Sequence, residues 1–478
     1  MERPAAPAYR VSLSWNMLRC AAQVVTLFLG LALAGGAAAQ HSQEVVCYLG
    51  SWAVYRPSNG KFSIENIDPT LCTTLIYAFV GIDNTTYTMQ SLDPEYDFKK
   101  KALQRFVNMK SLNPRLKVLL AVGGWTEGST KYSAMAATAA TRKAFIDSSI
   151  KFIQDHGFDG LDLDWEYPAN RGGKPEDKDN FVALVKELRR EFVKYGWMLT
   201  AALAAGKATI ETAYDIDDLA QDLDFMHIMA YDYHGKWDGH TGHNAPLYPR
   251  EDEPEEEKSL NVDASVQLYL DSGAPPHKLV LGLGLYGRTF LLRDASNPGI
   301  NAPSHSTAFA GPYTREDGFL GYNEICEKQT TEEGLWQIVW QKAHQVPYMF
   351  RDNMWVGYDD DVSLNLKAAY AQRLGLGGVM IWSIDTDDFT GACSQKGIKF
   401  PMLRAINQAL SQHADTRPPP PTSEPKPDID LDVDNDLDDN RYDIDDTRTS
   451  PVDSGVASVS YPVLNIALGL AIAITLVH

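Results

Sequence analysis

Eight short apolar runs recur along the middle of this chain, and they restrict its fold more than any other feature. They are "VVCYLGSW" (45–52), "TTLIYAFV" (73–80), "KVLLAVGGW" (117–125), "GLDLDWEY" (160–167), "MLTAALAA" (198–205), "FMHIMAYDY" (225–233), "KLVLGLGLYG" (278–287) and "GGVMIWSI" (377–384). Most are almost continuously hydrophobic. Strands covered on both faces read this way, whereas a strand with one wet face alternates. Amphipathic stretches separate the runs. In "DNFVALVKELRREFVKYG" (179–196), Phe181, Leu184, Val185 and Leu188 form one stripe at helical spacing. Eight buried strands alternating with helices predict a closed parallel (β/α)8 barrel, the alternative being a doubly wound open sheet. One connection breaks the rhythm. Residues 289–358 separate the seventh and eighth runs, far more chain than a crossover needs. They predict a small inserted α+β subdomain that walls a cleft, with "EEGLWQIVWQKAH" (332–344) as its helix-like part.

The two ends of the chain read differently from its middle. Arg3, Arg10 and Arg19 precede an uncharged run over 21–34, followed by "GGAAAQ". That order is a secretory signal, expected over 1–39 with cleavage after Ala39, rather than a membrane span. Cys47, Cys72, Cys326 and Cys393 then remain, an even number in a secreted chain. They predict two disulfides, with three pairings open. Asn84 in "NTT" is the sole N-glycosylation acceptor. The folded domain is expected over 44–410. Beyond it come "RPPPPTSEPKP" and a stretch, 427–446, with ten Asp and one Arg. Proline and like-charge repulsion predict an extended, disordered stalk over 415–453. A calcium loop is excluded because Asn435 and Arg441 stand where an EF-hand needs Gly and Glu. Small residues Ser454, Gly455 and Ala457 precede a polar spacer and an apolar tail. Residues 454–478 therefore read as a glycosylphosphatidylinositol-anchor signal, the rival being a retained single span. The chain is expected at the extracellular face of the plasma membrane, as a monomer. Its formal net charge of −20 argues against nucleic acid as a partner.

The chemistry is concentrated in "GFDGLDLDWEYP" (157–168). On a strand, alternate side chains share a face about 6–7 Å apart, so Asp162, Asp164 and Glu166 point the same way. Three ionised carboxylates there would repel, so at least one holds a proton and the set titrates together. Glu166 falls at the C-terminal end, where barrel enzymes place their reactions, and a raised-pKa glutamate there suits a general acid. Three acids from one strand cannot surround a metal ion, and neither a metal site nor a paired charge cluster accounts for Trp165 and Tyr167.

The stretch resembles the DxxDxDxE signature of glycoside hydrolase family 18, the chitinases, here beginning at Asp159. "YAF" (77–79), "GGW" (123–125), "MAYD" (229–232), "YGR" (286–288) and "MIWSID" (380–385) follow the family's order. The resemblance covers residues 45–405. It implies a TIM barrel with an insertion between strands seven and eight. It also implies a chitinase acting on chitin or chito-oligosaccharides with no cofactor and no metal. In family 18 the substrate's own N-acetyl carbonyl is the nucleophile. Glu166 would then be the proton donor. Asp164 would orient the acetamido N–H, Asp162 would share a proton with Asp164, and Tyr231 would donate to the acetamido oxygen. Asp232 would hold the distorted sugar. Trp52, Tyr55, Phe79, Gly124, Trp125, Tyr167, Met229, Trp237, Tyr286, Arg288 and Trp382 would bind or underlie the chain, with Trp382 as its floor. The resemblance further implies Cys47–Cys72 and Cys326–Cys393 pairing. Two rivals share the barrel: a chitinase-like lectin without catalysis, and an endo-acting enzyme on N-glycans. The lectins typically lose the glutamate, which this chain keeps. "GLGLYG" (282–287) fits a dinucleotide motif, but no helix is expected after it. The three histidines in "DYHGKWDGHTGH" (232–243) lack zinc-site spacing and are expected in a cleft-lining loop.

Overall fold

A computed structural model describes residues 43–394 and 396–412; the stretches expected to be signal (1–39), stalk (415–453) and anchor signal (454–478) lie outside the described residues. In chain order the strands are β1 (Glu44–Gly50), β2 (Thr74–Ile82), β3 (Met89–Ser91), β4 (Lys117–Gly123), β5 (Gly160–Asp164), β6 (Met198–Leu203) and β7 (Phe225–Ile228). They continue with β8 (Leu279–Gly284), β9 (Tyr286–Leu291), β10 (Phe319–Gly321), β11 (Gln337–Gln341), β12 (Val346–Arg351), β13 (Met354–Gly357) and β14 (Gly378–Trp382). Strands β1, β2, β4, β5, β6, β7, β8 and β14 pair in parallel in that order. β14 returns to β1, which closes a (β/α)8 TIM barrel. Each predicted run coincides with one of these eight strands.

The continuous hydrophobicity has a direct cause, since alternate residues serve two cores. Val46, Tyr48, Ile76, Leu119, Ala121, Val280 and Met380 fill the barrel interior. Their neighbours Val45, Cys47, Leu75, Val118, Leu120, Val379 and Ile381 pack outward in a larger cluster with the helices. The predicted stripe lies on the helix Asp177–Phe192, where Phe181, Leu184, Val185 and Leu188 are buried. Local chemistry sets the limits of the preceding helix, Ala139–His156. The Thr138 side chain accepts from the Thr141 N–H, and Gly157 closes the other end at φ 79°. Disulfides join Cys47 to Cys72 and Cys326 to Cys393.

Between β8 and β14 lies a second sheet, antiparallel throughout, in the order β10-β9-β13-β12-β11. The helix Tyr322–Thr331 accompanies it. Residues 332–344 do not form the expected helix. Gly334 takes φ 77°, and β11 follows as the edge strand paired to β12, with Trp340 opposite Pro347. The period there is two rather than 3.6. Ile338 is exposed, Val339 packs inward against the Phe290–Trp355 cluster, and Trp340 points outward again. β-branched and aromatic residues at that spacing favour strand over helix.

Candidate active site

The acidic residues meet at the C-terminal mouth of the barrel. β5 ends at Asp164. Trp165 then turns outward, packing on Tyr132 and Phe181 and donating from Nε1 to Ser129 Oγ at 2.6 Å. Anchoring Trp165 on the outer side leaves Glu166 just past the strand end, within electrostatic reach of Tyr231 and Asp232. The neighbouring turn can come this close only without side chains. Gly124 N–H donates to the Asp164 carbonyl at 2.8 Å. A Cβ on Gly123 (φ +124°) would lie 2.1 Å from that oxygen, and one on Gly124 (φ +87°) 2.6 Å from the Phe79 ring. Three cis peptide bonds, Ala78–Phe79, Glu166–Tyr167 and Trp382–Ser383, occur here.

Asp162 is fully buried and held by side chains from three other strands, β1, β6 and β7. Tyr48 OH donates to its Oδ2 at 2.5 Å, Thr200 Oγ1 donates to Oδ1, and His227 Nδ1 lies 3.2 Å from Oδ1. Tyr48 OH is also 3.0 Å from His227 Nδ1. Burial pushes the Asp162 carboxyl upward, but the field and hydrogen bond of His227, with hydrogen bonds to Asp164 and from Thr200, outweigh it and hold the group below its ordinary value. Asp164 behaves oppositely. Burial, then the negative charge of Asp162, raise it well above the ordinary carboxylate range. The pair therefore keeps one proton, on Asp164, whose Oδ1 is buried without a hydrogen-bond partner. Burial also raises Glu166 to about 7, with Asp232 adding to the push and the Tyr167 hydrogen bond and Arg171 opposing it. The hydroxyl of buried Tyr231 donates only to the soft thioether Met380 Sδ at 3.7 Å, a weak acceptor that a carbonyl oxygen would displace. Asp232, at φ 61°, accepts at Oδ1 from Tyr286 OH and Arg288 Nε, both 2.7 Å away.

Residues 44–387 match the family model described as Glycosyl hydrolases family 18. The chain belongs to glycosyl hydrolase family 18. Among relatives in this family, "Probable chitinase 2" of Drosophila melanogaster is 42% identical over 442 residues, spanning 86% of this chain and 90% of that protein. The crystal structure of Ostrinia furnacalis Group IV chitinase is 45% identical, with a TM-score of 0.75, over 77% of this chain and 100% of that one. Human YKL-39, described as a pseudo-chitinase with retained chitooligosaccharide binding properties, is 36% identical, with a TM-score of 0.71, over 77% of this chain and 99% of that one.

Within this family 18 barrel the predicted aromatics fall into separate groups. Trp382, Phe79 and Trp52 form one stack, with ring centroids 5.8 Å apart for Phe79–Trp382 and 6.0 Å for Trp52–Phe79. Tyr286 lies against Tyr231 at 5.9 Å, and Arg288 sits 5.3 Å from the Trp237 ring. Met229 packs partly buried beside the barrel-interior cluster. Tyr167 packs against the outer core while bonding Glu166. Trp52, Trp125 and Trp237 are 43%, 61% and 57% exposed, too open for core residues and available as stacking surfaces. Tyr55 stands apart. Its hydroxyl donates to Asp93 at 2.6 Å and its ring meets Tyr96, away from the Trp382 stack. Asn84 is exposed on the turn between β2 and β3.

The histidine-bearing loop departs from expectation. Trp237 is open, but His243 is fully buried against His344, Tyr348 and Trp355, so that ring packs the junction with the insertion and lines no cleft. No helix follows "GLGLYG"; β9 of the second sheet does. Several functional residues escaped the sequence reading: Tyr48, Thr200 and His227 around Asp162, Asn244 accepting from the Asp232 N–H at 3.0 Å, and Phe319, stacked on Tyr286 at 4.6 Å. A signal existed for three of them. Tyr48, Thr200 and His227 carry polar atoms inside strands buried on both faces, where such atoms need partners.

Proposed function

We propose that the chain is a chitinase that cleaves β-1,4 links between N-acetylglucosamine units with retention, through assistance by the substrate's own acetamide. A pseudo-chitinase shares this barrel, so family membership alone does not carry catalysis. The observation that carries it is the division of labour among the three acids: an ionised Asp162, a protonated Asp164 with an unpartnered Oδ1, and Glu166 raised to about 7. Below that pH Glu166 holds the proton that the departing glycosidic oxygen needs. The acetamide carbonyl attacks C1 as the C1–O bond breaks, and Glu166 gives up its proton to that oxygen. Asp164 meets the acetamide N–H, and the Asp162–Asp164 pair counters the positive charge of the resulting oxazolinium ring. Tyr231 donates to the acetamide oxygen and holds it in line. Glu166, now a carboxylate, takes a proton from water as that water bonds C1 on the face the glycosidic oxygen vacated and the C1–O bond of the oxazolinium ring breaks.

The Trp382–Phe79–Trp52 stack supplies the apolar floor for pyranose C–H faces. Asp232, fixed by Tyr286 and Arg288, accepts from the sugar's hydroxyls. We further infer, from the terminal segments, that the enzyme is secreted and tethered by a lipid anchor on an acidic stalk. Glu166→Gln tests the reading. Oligosaccharide binding should persist while turnover falls by at least about 10²-fold; equal turnover in the variant would refute the acid's assignment. Chito-oligosaccharides should be cut in preference to N-glycans. A phosphatidylinositol-specific phospholipase should release the protein from cells, and its retention would favour a membrane span.

A further inference from the structure

Arg171 occupies a junction that the chemistry above leaves unused. It joins the turn after β4, which presents Trp125, to the segment after β5, which presents Glu166. Its guanidinium lies 3.4 Å from the centroid of the Trp125 ring. The same group donates to the Glu166 carbonyl at 2.9 Å through Nη1 and to the Trp125 carbonyl at 3.0 Å through Nη2. Arg171 takes φ 51°, in the left-handed region that a residue with a side chain seldom enters without compensation. Core packing does not explain this arrangement, because Arg171 and Trp125 are both exposed. Only a planar, multi-donor cation can cover an indole face and serve two carbonyls together; a lysine ammonium is a single point charge.

We propose that Arg171 is a positioning residue: it clamps the Trp125 ring as a platform for a sugar and fixes that platform in register with the general acid Glu166. The proposal deepens the hydrolase reading and rests on it. With one indole face covered by the guanidinium, the other is left for a pyranose. A sugar stacked there lies on the ring of a residue whose main-chain carbonyl accepts from the same guanidinium as the Glu166 carbonyl, so the bound chain and the proton donor cannot drift apart independently. The same cation opposes the upward push on the Glu166 carboxyl.

Two variants of the full-length enzyme separate the clamp from the charge. Arg171→Gln removes both, and Arg171→Lys keeps the charge while losing the stack and the paired hydrogen bonds. For oligosaccharides long enough to reach Trp125, both variants should raise KM about three- to tenfold. Because a cation stabilises the ionised acid, its loss raises the acid's pKa. Arg171→Gln should therefore move the alkaline limb of kcat/KM up by about half a pH unit, while Arg171→Lys leaves the limb in place. Unchanged KM across the oligosaccharide series in both variants would overturn the clamp. So would losses from Arg171→Gln and Trp125→Ala that simply add in the double variant. Should the wild-type enzyme fail to hydrolyse chito-oligosaccharides, the hydrolase reading falls and the clamp is judged by binding alone. Indole fluorescence titration with N-acetylglucosamine pentamer then decides: weaker binding by Arg171→Gln supports the clamp, and equal binding refutes it.

Discussion

The proton held by Glu166 should carry a stability cost that depends on pH, and replacing the residue with Gln should remove it. Burial raises this carboxyl from 4.5 to about 7. At about 1.4 kcal/mol per pH unit the difference amounts to about 3 kcal/mol. Glu166 keeps partial contact with water, and screening reduces the figure to about 1–2 kcal/mol. The sign follows from which state ionises first. Below about pH 4 the group is protonated in both the folded and the unfolded chain, so it costs nothing. Between 4.5 and 7 the unfolded chain ionises while the folded one resists, and stability falls. Above 7 the loss is complete. Glutamine has nearly the same shape and never ionises. Glu166→Gln should therefore match the wild type in melting temperature at pH 4 and exceed it by about 2–4 °C at pH 8. Paired thermal unfolding scans at the two values provide the assay. A difference that does not change with pH, or a wild type more stable at pH 8, would mean that Glu166 is not held protonated by its surroundings.

Other substitutions have equally definite outcomes. Tyr231→Phe should lower kcat about 10²-fold with little change in KM, because its hydroxyl acts on charge that develops during the reaction; a change confined to KM would contradict that. Asp162→Asn should reduce kcat strongly and destabilise the barrel by about 2–4 kcal/mol in denaturant titration, since Tyr48, Thr200 and His227 lose the charge they surround. Gly124→Ala should cost about 2–3 kcal/mol, because its methyl would meet the Phe79 ring at 2.6 Å on backbone with φ +87°; unaltered unfolding would show that the turn can move.

The barrel was legible because parallel strands covered on both faces leave an unmistakable mark: Leu119 and Leu120 are both buried, one inside the barrel and one beneath helices. The runs predicted at 160–167, 225–233 and 278–287 extend past the observed strand ends at Asp164, Ile228 and Gly284. The excess residues are largely those of the site. Trp165 and Tyr231 are as buried as strand residues, and Tyr286 already opens β9 of the second sheet, so hydrophobicity cannot tell where the ladder stops and the cleft begins. The inserted sheet was harder to read. Its strands are short, β11 is an exposed edge, and Glu332 to His344 carries enough helix-forming residues to mask a period of two. The support of Asp162 was hidden for a different reason. Thr200 is the register partner of Asp162 on the next strand and His227 lies one strand further, but Tyr48 comes from β1, 114 residues before Asp162, and only closure of the barrel brings it to them.

Product stereochemistry tests the central claim most directly. Hydrolysis of a chito-oligosaccharide, followed by proton NMR before mutarotation proceeds, identifies the anomer at each new reducing end. Attack by the substrate's acetamide on the face opposite the leaving oxygen, then by water on the face that oxygen vacated, inverts C1 twice; this predicts the β anomer first, and no cleavage of a β-1,4-glucan lacking the acetamide. Initial release of the α anomer, or equal cleavage of that glucan, would contradict the account.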